Sequence, residues 1–303
     1  MTFNDDTQID AGRVSVGGGG MGGRIAVGGG LGGLILLVIT LLLGGDPGSV
    51  LGGVTGQDDS AGSSTSLQGC TTGADANRDV NCRVAATANS LDAVWGQQLQ
   101  RQTGVRYVPP GVKLFSGSVA TACGNATSDV GPFYCPVDRT AYFDTSFFQI
   151  LVDRFGSSGG PLAQEYVVAH EVGHHISNQL GTLGAAQQDP QGAAGGGVRT
   201  ELQADCFAGV WAHWADSTPG PNGGQPFLQK LTDRDIRDAL SAAQAVGDDR
   251  IQRSAGQRVN PETWTHGSSE ERQKWFLAGY QTGLVKACDT FSARDLNNPQ
   301  IPR

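Results

Sequence analysis

The stretch that decides the fold is PLAQEYVVAHEVGHHISNQL, residues 161–180. Pro161 suits a first helical position because it needs no amide hydrogen bond there, and a glycine follows the last residue, so the stretch predicts one long helix. Within it stands HEVGHH, residues 170–175. His170 and His174 are four residues apart, so both imidazoles project from one helical face and can bind one metal ion.

The residue after the first histidine has the chemistry of a general base. Glu171 lies one step around the helix from His170, where its carboxylate can reach a water on the same metal. His175 points about 100° away from its neighbour, so we expect it to pack or to form hydrogen bonds outside this site. The alternative interpretation of the whole motif is a solvated helix face without function.

A catalytic zinc ion needs three protein ligands, so a third must come from elsewhere in the chain. Downstream candidates are Glu201, Asp205, His213 and His266. A helix predicted over Val198–Ala215 presents the two acids on one face, so one can bind metal while the other accepts the N–H of a ligand histidine. His213 lies more than three turns from Glu201 and is expected in the core or at the surface. An ordinary exposed helix acid is the alternative for Glu201.

Spacing and capping signals predict the remaining elements of an α+β fold, mainly helical with a small β-sheet. The predicted helices lie around Val84–Leu99, at Ser146–Phe155, from Thr232 to Gly247, and from the capping box Ser268-x-x-Glu271 to about Ala287. The predicted strands are Val105–Val108, Val112–Phe115 and Thr140–Phe143.

The N-terminal part of the chain divides by composition into three segments that precede a domain at 70–303. Residues 1–24 are polar and glycine-rich, residues 25–44 carry no charge, and residues 45–69 form a Gly/Ser linker. The uncharged segment approaches the roughly 20 residues that span a bilayer, so we interpret it as a transmembrane segment.

Two interpretations of the uncharged segment compete, an uncleaved signal anchor and a cleaved signal peptide. The residues after it are Gly44, Gly45, Asp46 and Pro47 rather than an A-x-A cleavage site, which favours the anchor. Arg24 precedes the span and predicts a single-pass protein with its N-terminus inside and its domain on the extracytoplasmic side.

All six cysteines follow the linker: Cys70, Cys82, Cys123, Cys135, Cys206 and Cys288. An even number behind an apolar segment favours disulfides in an oxidising compartment over buried thiols in a cytosolic protein. Local spacing favours the pairs 70–82 and 123–135, which leaves 206–288, although six cysteines allow 15 connectivities. The net charge of -8 and the absence of any basic run argue against a nucleic-acid partner.

Several stretches together resemble the bacterial family of putative neutral zinc metallopeptidases. They are HEVGHH, ELQADCFAG (201–209), GPFYCPVDRTAYFD (131–144), THGSSEER (265–272) and the ending Cys288-Asp-Thr-Phe. The element Glu-x-x-Ala-Asp also resembles that of the gluzincins, including the CAAX-prenyl-protease-like membrane peptidases. The resemblance implies a zincin-like fold in which Glu201 is the third zinc ligand and Asp205 is the acid that supports a ligand histidine.

The same resemblance implies two further parts of an active site. In zincins a strand upstream of the motif helix borders the cleft and pairs with extended substrate. The resemblance implies that Thr140–Phe143 is this strand, with an ordinary edge strand as the alternative. Zincins often stabilise the oxyanion with a His, Tyr or Arg, and His266, Tyr134 and Tyr142 are the candidates in this chain.

The function predicted is zinc-dependent endopeptidase activity with one Zn²⁺ per chain, in which Glu171 acts as general base on a metal-bound water. The implied partners are a protein or peptide substrate and a bacterial cell membrane. Two alternatives stay open: a catalytically idle metal-binding scaffold of the envelope, and a hydrolase of a non-peptide amide or ester.

Overall fold

The computed structural model describes residues 2–17, 67–187, 189, 191–220 and 223–301. Within these ranges the chain is α+β, as predicted, with eight α-helices and two small sheets. The helices are α1 (Gly73–Arg78), α2 (Val80–Thr103), α3 (Phe147–Asp153), α4 (Pro161–Gln179), α5 (Gly196–Ala215), α6 (Asp233–Ala245), α7 (Asp248–Ser254) and α8 (Ser269–Thr282). The strands are β1 (Ser15–Val16), β2 (Gly111–Leu114), β3 (Ser118–Thr121), β4 (Gly124–Thr127), β5 (Phe133–Cys135) and β6 (Thr140–Phe143).

Two residues that the sequence predicts as helix starts, Thr232 and Ser268, are N-caps in the structure. Thr232 caps α6 and Ser268 caps α8, each in a capping box with the acid three residues on. Helix α8 ends at Thr282 rather than near Ala287, because Gly283 adopts the left-handed conformation with φ 63° and stops it. Helices α1 and α7, of six and seven residues, are not predicted by the sequence pattern.

Helix α4 is the central element of the fold. It packs against α2, α5 and α6, and most of its residues are buried. Helix α5 packs in turn on α8, where Gly209 and Gly279 let the two backbones touch: a Cβ on Gly279 would lie 1.9 Å from the carbonyl oxygen of Cys206. Helices α5 and α8 therefore cross without intervening side chains at these positions.

The larger sheet has the strand order β1-β2-β6-β5. Strand β2 pairs in parallel with both β1 and β6, whereas β5 is antiparallel to β6. The predicted strand Thr140–Phe143 is present as β6, but it lies between β2 and β5. Both of its sides are therefore paired, so the prediction that it pairs with an extended substrate is wrong, and so is the alternative of an ordinary edge strand. Strand β5 has the edge position instead.

The predicted strand Val105–Val108 is also wrong. Two prolines follow it, and the carbonyl oxygen of Val108 accepts hydrogen bonds from the side chains of His175 and Gln179, both at 2.7 Å. Since proline has no N–H to donate and this carbonyl is already bonded, the segment is extended chain without a ladder.

Residues 2–17 pack against the folded domain, although the domain predicted from the sequence begins only at residue 70. Phe3 is fully buried, and the Asn4 N–H donates to the carbonyl oxygen of Phe227 at 2.9 Å. Strand β1 belongs to the same segment. The predicted transmembrane residues 25–44 and most of the predicted linker lie outside the described residues. None of the helices that the structure does describe is long and apolar enough to cross a membrane.

The three predicted disulfides are present: Cys70–Cys82, Cys123–Cys135 and Cys206–Cys288. The first two close loops with a sequence separation of 12, and the third has a separation of 82. The third also joins α5 to the turn after α8, so it closes the part of the chain that contains α6, α7 and α8.

We expect the long-range disulfide to stabilise the fold more than a short-range one. In the chain-entropy description, loops of these lengths correspond to about 4.5 kcal/mol for Cys206–Cys288 and about 3 kcal/mol for Cys123–Cys135. The full-length protein with both cysteines of a pair changed to serine should show this difference in the free energy of unfolding by urea. Equal losses for the two pairs, or a larger loss for 123–135, would contradict the expectation.

Candidate metal centre

Helix α4 brings His170, Glu171 and His174 to one wall of a cleft. All three side chains are buried, and the two imidazole rings lie 4.7 Å apart between centroids. The helix starts after Gly160 with Pro161 in its first turn and continues without interruption through the motif. The i, i+4 spacing therefore places both histidines on one face, as the sequence predicted.

Helix α5 crosses α4 at the glycine of HEVGHH. A Cβ on Gly173 would lie 2.7 Å from the carbonyl oxygen of Ala204 and 2.9 Å from its Cα, so no larger residue fits this crossing without a shift of the backbone. Glu201 and Asp205 lie on either side of Ala204 along α5. The close contact thus brings both carboxylates within reach of the α4 histidines.

The two carboxylates take different positions around His170. Asp205 Oδ1 lies 2.8 Å from Nδ1 of His170, and Glu201 Oε2 lies 3.2 Å from its Nε2. The second Glu201 oxygen is 3.4 Å from Nε2 of His174. If Nδ1 of His170 donates its proton to Asp205, the Nε2 lone pair faces a carboxylate oxygen, and two acceptors then face each other across a gap that suits a cation.

The donor set fits a zinc ion. The three ligand atoms of His170, His174 and Glu201 all lie within 4.8 Å of one another. In a tetrahedral site with bonds of about 2.0–2.1 Å, neighbouring ligand atoms are about 3.3–3.4 Å apart. The N···O distances of 3.2 Å from His170 and 3.4 Å from His174 are close to this value, each to a different oxygen of the Glu201 carboxylate. Two imidazole nitrogens and one carboxylate are also the ligand types that zinc takes in catalytic sites.

The electrostatics of the site favour an ionised Glu201. Burial alone would raise the pKa of its carboxyl, but His174 and His170 hold that pKa well below the ordinary value. Asp205 behaves in the same way: burial would raise its pKa, and Arg272 together with His170 lowers it. Both acids are therefore anionic, although neither is more than 5% exposed.

Arg272 on α8 forms a buried cluster with Asp205 beneath His170. Its Nε donates to Asp205 Oδ2 at 2.7 Å and its Nη2 to Asp205 Oδ1 at 2.9 Å, a bidentate pair. The Tyr166 hydroxyl also donates to Asp205 Oδ1, and it accepts from the same guanidinium at 3.2 Å. These contacts fix the carboxylate that orients His170.

Arg272 and Tyr166 are not among the site residues that the sequence predicts. A signal for the arginine was present, because Trp275, Phe276 and Gly279 follow it at i+3, i+4 and i+7, on the buried face of α8. A charged residue on an apolar helix face needs a partner of opposite charge inside the fold. Nothing in the pattern could name Asp205 as that partner.

His266 lies in the wall of the same cleft, held by Asp248. One Asp248 oxygen accepts the backbone N–H groups of Thr265, His266 and Gly267 at 2.7–3.0 Å, and the other lies 3.1 Å from Nδ1 of His266. Burial lowers the pKa of this histidine, but Asp248 more than offsets that effect and raises it above the ordinary value. With Nδ1 engaged, Nε2 is the nitrogen available to the cleft.

The other candidates for the oxyanion, Tyr134 and Tyr142, use their hydroxyl groups in hydrogen bonds within the fold. The hydroxyl of Tyr134 contacts His175 Nδ1 at 2.8 Å and accepts from Asn178 at 3.0 Å, and the Tyr142 hydroxyl donates to Asp138 at 2.8 Å. His175 is fully buried outside the site and bonded through both ring nitrogens, as predicted.

His213 is likewise not part of the metal centre. Its Nδ1 lies 2.6 Å from the carbonyl oxygen of Tyr280 on α8. It therefore takes part in helix packing, in line with the expectation from the sequence.

The rest of the cleft is apolar. It has a volume of about 1040 Å³ with its open mouth included. Besides the site residues and the two tyrosines, Tyr134 and Tyr166, its walls consist of Val130, Gly131, Pro132, Phe133, Pro136, Phe147, Phe155, Val167, Leu183, Val246 and Ile251. The charged side chains are thus gathered around the metal centre, and the surrounding side chains are mainly apolar.

Comparison with known proteins agrees with this donor set. The family model for the putative neutral zinc metallopeptidases matches residues 2–291. The chain belongs to this family. The match begins at residue 2, so the family's extent includes the N-terminal segment that packs on the domain.

Several curated proteins resemble the chain over nearly its whole length. The uncharacterized protein Rv2575 of Mycobacterium tuberculosis and the uncharacterized protein Mb2605 of Mycobacterium bovis are each 60% identical over 98% of this chain and 100% of their own. The uncharacterized protein YpfJ of Escherichia coli K12 is 38% identical over 95% of this chain and 96% of its own. No solved structure matches.

The arrangement predicts different effects for the two carboxylates of α5. Glu201→Gln removes a ligand oxygen's charge and should abolish tight zinc binding. Asp205→Asn keeps the ligands and should weaken binding by about 10–100-fold, the usual effect of losing a group that orients a ligand histidine. Competition titrations with a zinc chelator on the full-length protein would measure both. Unchanged affinity in the Glu201→Gln variant would exclude Glu201 as a ligand.

Proposed function

We propose that this protein is a zinc-dependent endopeptidase with a zincin-like active site. His170, His174 and Glu201 would hold the zinc ion, and Glu171 would act as general base. The observation that carries the proposal is the convergence of these three ligand atoms within 4.8 Å, beside a buried Glu171 that a purely structural site does not require. Membership of the putative neutral zinc metallopeptidase family supports it.

Glu171 is the group that carries the proton in both transfers of this mechanism. A bound zinc ion lowers the pKa of a water molecule toward neutrality and polarises a carbonyl group. Burial raises the pKa of the Glu171 carboxyl to about 7, against the attraction of His170. A carboxylate with such a pKa can accept a proton from the attacking water and return it to the leaving amine nitrogen near neutral pH.

His266 is the group best placed to stabilise the oxyanion. It lies in the cleft wall, and Asp248 holds its ring through Nδ1 while three backbone N–H groups hold Asp248. A donor fixed before the reaction stabilises developing charge without reorganisation. Tyr134 and Tyr142 are not proposed for this role because their hydroxyls are bonded elsewhere.

Strand β5 supports a peptide as the substrate. It stands at the end of the larger sheet, and Phe133 and Tyr134 line the cleft. An extended peptide can add to a sheet edge through its main chain, which positions a scissile bond independently of sequence. The three disulfides support a location of the domain in an oxidising, extracytoplasmic compartment.

Glu171→Gln separates an enzyme from an idle metal protein. The substitution keeps the shape of the side chain and touches no ligand, so the full-length variant should retain one zinc ion per chain. Hydrolysis of an unfolded protein such as casein should fall by roughly 10²–10⁴-fold, because the base is lost.

The control measurement is the zinc content of the same preparation, so that loss of the metal is not mistaken for loss of the base. A variant as active as the parent would show that Glu171 is not the base. A zinc-loaded parent that cleaves esters but neither peptides nor proteins would favour the non-peptide alternative, and one that cleaves nothing would favour the scaffold.

The apolar walls predict which peptides are preferred. A charged residue beside the scissile bond would lose its hydration in the cleft without gaining a partner, because the charged groups there are those of the metal centre. A large apolar residue would instead bury its surface against Phe133, Phe147, Val167 and Ile251. Burial of such a side chain is worth about 1.5–3 kcal/mol, or roughly 10–100-fold in kcat/KM.

Matched peptides with Leu, Phe, Asp or Lys beside the cleaved bond test this preference. We expect the Leu and Phe peptides to exceed the Asp and Lys peptides by that factor. Ile251→Ala should reduce the difference, whereas Val108→Ala should not, since Val108 is 49% exposed and does not line the cleft. Equal or faster cleavage of the charged peptides would contradict the assignment.

A further inference from the structure

The first residues of the chain, 2–17, form a strap that is built into the folded domain. Phe3 is fully buried and forms an antiparallel bridge with Leu228. The backbone bonds on either side are Asn4 N–H to Phe227 O at 2.9 Å and Gln229 N–H to Thr2 O at 2.7 Å. The start of the strap is therefore hydrogen-bonded on both sides of its buried anchor.

The middle of the strap lies against the start of α1. The N–H of Gly73 donates to the Thr7 carbonyl at 2.8 Å, and that of Ala74 donates to the Asp5 carbonyl at 3.0 Å. A Cβ on Gly73 would lie 1.9 Å from the carbonyl oxygen of Asn4, so α1 can begin here only because this residue is glycine. The strap supplies the acceptors that the first amides of a helix lack within it.

The end of the strap joins the larger sheet. Strand β1 pairs in parallel with β2, and the Gly17 N–H donates to the Leu114 carbonyl at 3.1 Å. Just before it, Arg13 forms a two-point ion pair with Asp92 on α2, in which Nη2 lies 3.2 Å from Oδ1. The Tyr107 hydroxyl donates to the same carboxylate at 2.8 Å.

The strap also touches the helix that carries the metal ligands. The hydroxyl of Thr2 donates to Glu165, a fully buried acid on α4 five residues before His170. A buried carboxyl needs hydrogen-bond partners inside the fold, and the N-terminus supplies one. Removing the strap would leave Glu165 and the Phe3 site open to solvent.

These contacts conflict with the topology expected from the sequence. Residues 17 and 67 both belong to the folded domain, and the chain between them has one uncharged segment that approaches the length of a bilayer span, 25–44. The part that follows it, up to residue 66, is rich in Gly and Ser and includes Asp46, Asp58 and Asp59. Such a sequence cannot make a second crossing, since a span needs roughly 20 apolar residues and charges are costly there. A single crossing would separate the strap from its binding site by a bilayer.

We propose that the strap and the domain occupy the same side of the membrane, and that residues 25–44 do not act as a single-pass anchor. The occupant of the groove between the 226–229 segment, α1 and β2 is then the chain's own N-terminus. The groove offers a buried apolar site, main-chain partners on both sides and Asp92 as counter-charge for Arg13. This proposal does not depend on the peptidase function.

Cysteine labelling of the full-length protein in intact cells tests the sidedness. The described residues contain no free cysteine, and the six cysteines of the sequence all form disulfides, so one introduced thiol reports alone. Asp6→Cys places a thiol at an exposed position of the strap, and Val137→Cys places one on the domain, where the native residue is 71% exposed. With a membrane-impermeant maleimide, both should label or both should stay protected until the cells are lysed. Labelling of one and protection of the other would overturn the proposal.

Thermal unfolding of the full-length protein tests the docking itself. Phe3→Ala should lower the Tm by roughly 10 °C, the effect of deleting a buried aromatic side chain from a domain of this size. Val16→Ala is the matched control, because Val16 lies on the same strap but is 41% exposed, and its Tm should stay within about 2 °C of the parent. If Phe3→Ala behaves like the control, the strap is not docked and the proposal fails.

A charge exchange provides an independent check of the same contact. Arg13→Asp and Asp92→Arg should each lower the Tm, and the double exchange should recover part of the loss, because it restores an ion pair in the opposite direction. Additive losses in the double variant would contradict the pairing of the strap with α2.

Discussion

The crossing of α4 and α5 at Gly173 is the contact on which the metal centre depends. The missing side chain lets Ala204 approach the α4 backbone, and only at that separation can carboxylates on α5 reach imidazoles on α4. A second close crossing, between Gly209 and Gly279, places α8 against the other side of α5. Main-chain contact between three helices therefore sets the positions of His170, His174 and Glu201, which would reduce the reorganisation that metal binding requires.

The site also brings several buried acidic side chains close together. Glu171, Glu201 and Asp205 are buried together, and an unpaired buried carboxylate is strongly destabilising. Arg272 neutralises one of them through a bidentate pair, and a divalent cation would balance the rest. A cation held by His170, His174 and Glu201 would offset the electrostatic cost of burying these acids, so metal affinity and fold stability would then be coupled.

The sequence was sufficient where a local rule acts along one helix. The i, i+4 histidines and the acid pair Glu201 and Asp205 follow from helical periodicity, and the family resemblance then distinguished the roles of the two acids. It was insufficient where distant segments meet. The partner of Arg272, the edge position of β5 and the docking of residues 2–17 depend on which elements become neighbours in the fold, and no periodicity encodes that. A polar, glycine-rich N-terminus also gave little sign of burial, because its anchoring comes from main-chain bonds and a single phenylalanine.

The position of Phe3 has a consequence for the order in which the molecule can assemble. The groove that receives it is completed by residues 226–229, so Phe3 has no binding partner until the chain up to these residues has been made. Pairing across so long a separation adds to contact order, and chains dominated by such contacts fold slowly. Phe3 should therefore dock late, as a closing step that locks α1, β2 and the 226–229 segment around an already formed helical core.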